Sequence, residues 1–361
     1  MKSVVDAVTF ATAVGRVTAI LKKNPIPQLA QVRVQFTKGA CTVSATDMKA
    51  WLSSVMEAEG DEFSFVFRNS KKVQRILRHY EGELTLELLG GERDRRVLLR
   101  CGDKSGEFPV LEDEKHGEIP KIIPLHCYSV KMDALYARVK SISYATRHRE
   151  DRPIYEGVRF TDKRVWCVDG FRMAIHEDAS LNVHEPFVLP APALKYLKAF
   201  GDAEGVLMVG KEHAALLTSD LTLTCDVIER SDELRIETTL PKSSSETYMV
   251  KRKEIHEALC YLADCTNTSE QIRVTFDRGS LLIDGKHGKY CASVGGVDGA
   301  CEVRYAFNLA YMKQAVEQFS GAEEIRIGTS SAISPIVLTE GSRTAMVLPL
   351  RMKEEPRQQA A

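Results

Sequence analysis

A chain of 361 residues is longer than one ordinary domain, so two or three domains are expected. Its 44% apolar and 27% charged content is that of a soluble globular protein, and no apolar run is long enough to cross a bilayer. The net charge is −1, and Lys+Arg match Asp+Glu to within one in each third of the chain, which excludes a polycation. Any nucleic-acid contact must therefore gather its cations on one face.

The N-terminus has only Lys2 as a basic lead and carries Asp6 early, which fits neither a secretory nor a transit peptide. The nine cysteines are odd in number and form no CxxC pair. Scattered thiols of this kind read as reduced, small hydrophobes of a cytoplasmic protein rather than as disulfides or metal ligands.

In chain order, the first predicted element is an amphipathic helix, FATAVGRVTAIL from Phe10. Alternating strands follow in VSATDMKAWLSS, then a strand running into a helix in FVFRNSKKVQRILRHY from Phe65, then a strand in GELTLELL from Gly82. A turn-rich linker spans Lys115 to Lys121. The order then recurs: a helix in MDALYARVKSISYA from Met132, strands in WCVDGFRMAIHE, a strand and helix in FVLPAPALKYLKAF from Phe187, and a strand in GVLMVG from Gly205. After a second linker, Pro241 to Glu246, it recurs once more. EIHEALCYLADC from Glu254 is the helix and LLIDGKHGKYCASV holds the strands. YAFNLAYMKQAVEQF from Tyr305 is the strand and helix, and EEIRIG from Glu323 closes the unit.

The strand-to-helix segments begin at Phe65, Phe187 and Tyr305, intervals of 122 and 118 residues. A period near 120 defines three similar units, 1–120, 121–243 and 244–352, each an α+β arrangement of two helices on antiparallel sheets. The remaining segment, 353–361, is charged, cannot form a core and is expected to be disordered.

One aspartate recurs per unit, Asp47, Asp169 and Asp284. Alone, each could be a general base or metal ligand. Recurrence at matching positions favours a turn role, in which a short carboxylate satisfies backbone donors. No P-loop, GxSxG, HExxH or Cys/His ligand cluster is present, so the sequence offers no catalytic residue, no metal site and no cofactor.

In the helix after Phe65, Lys71, Arg75 and Arg78 fall at i, i+4 and i+7 with Lys72 beside them, opposite Val73, Ile76 and Leu77. This is either a solvated face or a phosphate-contacting stripe, and the absence of acids from the helix favours the second. Arg147, Arg149 and Arg152 form a further basic cluster, and Lys195 and Lys198 lie on a later helix.

Taken in order, VSATDMKAWL, HREDRPIYEGVRF, VDGFRMAIHE, FNLAYMKQAV, SPIVL and the closing MVLPLRM resemble the bacterial β sliding clamp family, over residues 1–352. The resemblance implies three tandem clamp-type domains, a head-to-tail homodimeric ring, and helices lining a hole for duplex DNA. Non-enzymatic tethering of the replicative polymerase, clamp loader and repair proteins would follow. It places Lys22 and Lys23 at a DNA-contacting loop.

The resemblance also implies a cleft for short hydrophobic peptides. Tyr155, Val168, Gly170, Phe171, Arg172, Met173, Leu234, Thr239, Met346, Leu348, Pro349, Leu350 and Arg351 would line it, with Arg172 available to a peptide carbonyl or carboxylate. From composition alone, Met173, Met346 and Leu348 could equally be interdomain core. The subunit contact would use Leu262, Asp264 and Cys265. On the other side, either SGEFPVL serves as the contact strand or the contact is reduced.

Overall fold

The computed structural model describes residues 1–91, 94–148, 152–229, 240–241, 244–266, 271–277, 279–285, 290–297, 303–331 and 333–351. Among these, the chain is a mixed α and β protein whose sheets are antiparallel, with six α-helices. They are α1 (Ala7–Thr18), α2 (Ser70–Leu77), α3 (Met132–Ile142), α4 (Ala191–Leu194), α5 (Arg252–Cys265) and α6 (Leu309–Glu317). Two compact units result, Met1–Ala137 with Pro192–Ile228, and Arg138–Ala191 with Glu229–Ala361.

The first unit is built on one sheet of 13 strands. Its centre is the hairpin Ala40–Thr46 and Ala50–Glu57, and the second of these strands pairs with Leu221–Asp226 from Leu221↔Ser54 to Cys225↔Ala50. On α1, Ala7, Phe10, Ala13, Val14, Val17 and Thr18 are buried, the three-and-four spacing of one helical face. Asp6 starts the helix by accepting from the backbone N–H of Thr9 at 2.8 Å. Asn69 does the same for α2, accepting from Lys72 N–H at 3.1 Å.

The second unit holds a sheet of eight strands and one of four. Arg172–Glu177 pairs with Arg343–Val347, in register Met173↔Met346. Its core gathers Ile255, Leu259 and Leu262 of α5, Leu309, Met312 and Val316 of α6, and Tyr248, Tyr305, Phe307 and Phe319. The subunit-contact expectation for Leu262 is thereby corrected. It is fully buried, one turn beyond Ala258 and Leu259 on the inward face of α5, and offers nothing to a partner.

The helix predicted after Phe187 also differs from its counterparts. Asn69 and Asn308 cap α2 and α6, whereas Pro190 precedes α4. With no side chain to accept the first N–H groups, α4 lasts four residues and continues as a 3₁₀ helix, Lys195–Phe200, ended by Gly201 at φ 64°.

Two of the three recurring aspartates, Asp169 and Asp47, hold turns. Asp169 Oδ1 accepts from the N–H of Phe171 at 2.9 Å and of Arg172 at 3.0 Å. Asp47 Oδ1 accepts from Lys49 N–H at 3.2 Å and Ala50 N–H at 3.1 Å. In both turns the next residue is left-handed, Gly170 at φ 90° and Met48 at φ 73°. Glycine adopts that conformation freely, while the methionine bears a steric cost of about 1–2 kcal/mol. Asp284 is paired with Cys291 near the end of its strand, and its side chain lies outside the described residues.

Asp169 is buried and also binds the buried Arg172, Nε to Oδ2 at 2.9 Å. Removing one partner of a buried ion pair costs roughly 3–5 kcal/mol. Asp169→Ala is therefore expected to lower the stability of the second unit by about that much, measured as an earlier urea-unfolding midpoint. Asp169→Asn, which keeps the Oδ1 acceptor, should lose less.

Candidate functional site

Each unit presents one candidate surface. In the first, α2 buries Ser70, Val73 and Leu77 and leaves Lys71, Lys72 and Arg75 exposed, with Arg78 exposed at its C-cap. The helix carries no acid, so its outward face is uncompensated within the helix. Lys23 is exposed. Lys22 is committed to the Asp47 turn, where its ammonium and the Tyr196 hydroxyl, at 2.9 Å, both donate to Oδ2. Burial pushes the Asp47 carboxyl up, but these two hydrogen bonds, the charge of Lys22 and the Lys49 N–H together outweigh it and hold the group below the ordinary carboxylate value.

A groove of about 620 Å³ lies between α1 and the helical segment after Pro190. Thr12, Gly15, Arg16 and Ala19 form one wall, and Lys195, Tyr196, Lys198 and Ala199 the other. In a 3₁₀ helix, residues i and i+3 eclipse, which puts Lys195 and Lys198 in one row. Arg16, which the sequence reading passed over, is tied to Asp220. Its spacing from Thr12 and Ala19 on the polar side of α1 was the available signal.

In the second unit, Trp166, Val168, Met173, Ile175 and Met346 form a buried apolar cluster, with Tyr155, Leu240 and Val337 packed against it. Trp166 was missed by the sequence reading. It lies two residues before Val168, on the same face of the strand Arg164–Val168. Around this floor Phe171, Leu348 and Leu350 are exposed apolar residues, 44%, 36% and 38% accessible. Leu348 N–H donates to Phe171 O at 2.9 Å, which ties the segment after strand Arg343–Val347 to the Asp169 turn, and Leu350 N–H donates to Ala306 O at 2.7 Å, which ties it to strand Val303–Asn308. Pro349 is half-buried, while Gly170 and Arg351 are exposed. A Cβ on Gly170 would stand 3.7 Å from the Tyr155 hydroxyl, an ordinary contact, so it is the backbone conformation that calls for glycine.

The structure puts Arg172 to a different use from the one expected. Its side chain is almost buried, bonded to Asp169 and Gln314, with the guanidinium 5.4 Å from the ring of Tyr144 and 4.4 Å from that of Tyr311. Two aromatic faces and a carboxylate satisfy the cation, so Arg172 buttresses the turn rather than reaching a peptide.

Arg147 is exposed, and Arg152 is held at Tyr155, its guanidinium 3.3 Å from the hydroxyl. Arg149, Leu234, Thr239 and the segment 353–361 lie outside the described residues. Asp264 is exposed and Cys265 half-buried. Among the described residues, no three potential metal ligands converge, and no helix is long and apolar enough to cross a membrane.

Turns, sheets and helices together define the sliding-clamp fold. No protein-family model and no curated protein matches the chain by sequence. By structure, the β subunit of DNA polymerase III from Pseudomonas aeruginosa is similar at a TM-score of 0.86 and 17% identity, over 98% of this chain and 100% of that one. The β subunit from Thermotoga maritima gives 0.83 and 19% over the same shares. The sliding clamp of Bacillus subtilis gives 0.83 and 16%, again over 98% and 100%. A Pseudomonas aeruginosa clamp bound to griselimycin is also similar, at 0.82.

Since Asp47 has a depressed pKa in the folded state, its contribution is complete above the ordinary carboxylate range. It is lost as pH falls through the folded-state value. Acidification below about pH 4 should therefore destabilise the first unit. Asp47→Asn should flatten that part of the acid limb in unfolding midpoints recorded between about pH 5 and 3; an unchanged slope would refute the assignment.

Proposed function

We propose that this chain is a non-catalytic processivity factor, a sliding clamp that encircles duplex DNA without reading its sequence. It tethers the replicative polymerase, clamp loader and repair proteins of the cytoplasm through short hydrophobic peptides. The three repeats, 1–120, 121–243 and 244–352, are its domains, and two copies close head to tail.

A pairing rule carries the reading. In the first repeat, the strand after the aspartate turn, Ala50–Glu57, joins the last strand of the second repeat, Leu221–Asp226. In the second, Arg172–Glu177 joins the last strand of the third, Arg343–Val347. Two strands are left over. Cys291–Val297 is an edge of its four-stranded sheet. The last strand of the first repeat, Lys104–Leu111, pairs fully with Arg96–Cys101 but on its other side only at Val110 and Leu111. An unpaired edge is a template for another strand. The same rule applied between copies joins Cys291–Val297 of one to Lys104–Leu111 of the next, and such a heterologous contact closes a ring when its rotation permits. SGEFPVL is the strand this requires, and exposed Asp264 and half-buried Cys265 lie on the helix beside the third-repeat edge.

Lys23, Lys71, Lys72, Arg75 and Arg78 supply backbone-directed contacts, which give affinity without sequence preference. Arg147 and Arg152 extend the set, and Lys22 joins it when it leaves Asp47. Phe171, Leu348 and Leu350 over the Trp166 and Met346 floor give an adaptable apolar seat for peptides.

Sedimentation at micromolar concentration should give a dimer that is retained on circular DNA and lost once the circle is cut. A monomer that never links to circles would overturn the ring. Lys71→Ala with Arg75→Ala and Arg78→Ala should reduce retention and flatten its dependence on log salt by roughly one per phosphate contact removed.

Met346 is buried, and truncating it would cost about 2–5 kcal/mol of stability. The cleft is better tested at its rim. Leu348→Ala with Leu350→Ala should weaken binding of a peptide copying the C-terminus of the same organism's replicative polymerase by tenfold or more, about 1.4 kcal/mol, with the melting temperature unchanged. Equal affinity would remove the cleft from the proposal.

A further inference from the structure

On α5, His256 and Cys260 stand one turn apart on the same side, and α6 sets Lys313 and Glu317 against them. Cys260 Sγ is 3.7 Å from His256 Nε2 and 3.9 Å from Nδ1. His256 Nε2 is 3.5 Å from Glu317 Oε1, and Lys313 Nζ is 2.9 Å from the same oxygen. Asp264, one turn further along α5, acts on Lys313 electrostatically, as does Cys260. The groups facing the thiol from the two helices are thus one imidazole, one ammonium and two carboxylates. Burial pushes Glu317 up, but Lys313 and His256 more than reverse this and keep it a carboxylate below its ordinary range. Neither candidate surface uses these residues, and they do not converge as a metal site.

The other thiols differ. Cys41, Cys101, Cys167 and Cys225 are buried, and burial pushes Cys41 and Cys225 up to about 12, which leaves them unreactive. Cys127 and Cys291 are exposed and Cys265 half-buried, yet among the described residues no imidazole is hydrogen-bonded to any of them. Cys260 alone among the described thiols combines partial exposure with a neighbouring base that is itself held by a carboxylate.

We propose that Cys260 is a nucleophilic thiol, activated by His256 and positioned through Glu317, that forms reversible mixed disulfides with low-molecular-weight disulfides. As Sγ attacks one sulfur of the disulfide, Nδ1 of His256, 3.9 Å away while Nε2 faces Glu317, takes the thiol proton. The S–S bond breaks, its second sulfur departs as a thiolate, and the imidazole returns the proton to it. Cys260 is oxidised and the departing sulfur reduced, with no further oxidant needed. Attack by a second thiol reverses the reaction. A negatively charged adduct would lie beside Lys313.

The test treats the intact chain with oxidised glutathione and follows adducts by intact mass and peptide mapping. The first adduct is expected on Cys260, forming about tenfold faster than on the exposed Cys127, and dithiothreitol should remove it. His256→Gln should slow Cys260 by about tenfold, less than a well-aligned general base supplies because 3.9 Å is a long approach. The rate at Cys127 and the melting temperature should be unchanged. Glu317→Gln should also slow Cys260, and Glu317→Asp should restore part of the loss. Reaction at Cys260 no faster than at the exposed Cys127, or no slower in His256→Gln, overturns the proposal. No effect of Glu317→Gln removes Glu317 from it.

Discussion

Two backbone N–H groups, those of Phe171 and Arg172, converge on one oxygen of Asp169, and the N–H groups of Lys49 and Ala50 do the same at Asp47. A carboxylate that accepts two successive donors reverses the chain within four residues and fixes where the outgoing strand starts. In a sheet, a shift of one residue would turn every side chain to the opposite face. The register of Ala50–Glu57 against Leu221–Asp226, and of Arg172–Glu177 against Arg343–Val347, therefore depends on those carboxylates. So does the apolar floor, because Met173 meets Met346 only in that register.

The second turn bears more than the first. Asp169 is buried with Arg172, whereas Asp47 is reached by Lys22, whose side chain is half exposed. A buried charge needs its partners arranged around it. Gln314, Tyr144 and Tyr311 complete the shell of Arg172, and Tyr311 also lies 6.1 Å from the ring of Phe171. The exposed Phe171 is thus fixed by the same group of residues that satisfies the cation, which gives this exposed apolar rim a rigid back.

Much of this was legible in the sequence because the signals are local. Helical spacing from Phe10 and alternation at Phe65 each act within a few residues. The period near 120 then multiplied weak signals into a strong one. The turn role of Asp47 and Asp169 was also readable, because an aspartate recurs at matching positions of the repeat. What escaped was three-dimensional. Nothing in EIHEALCYLADC distinguishes Leu262, inside the core, from Asp264, outside it, until α5 has a sheet to lie on. Arg172 looked like a surface cation because its satisfying groups, Tyr144 and Gln314, come from distant positions. The shortness of α4 was foreshadowed by Pro190, but its 3₁₀ continuation was not.

Both junctions between repeats are ladders of main-chain hydrogen bonds, and every amino acid except proline can contribute a complete rung. A joint made this way constrains side chains only through size and through which face is apolar. That leaves the identities of most residues free to drift while the geometry persists. A chain sharing 16–19% of its residues with the β subunits of Pseudomonas and Thermotoga and the clamp of Bacillus, yet superposing on each at TM-scores of 0.83–0.86, is what such joints allow.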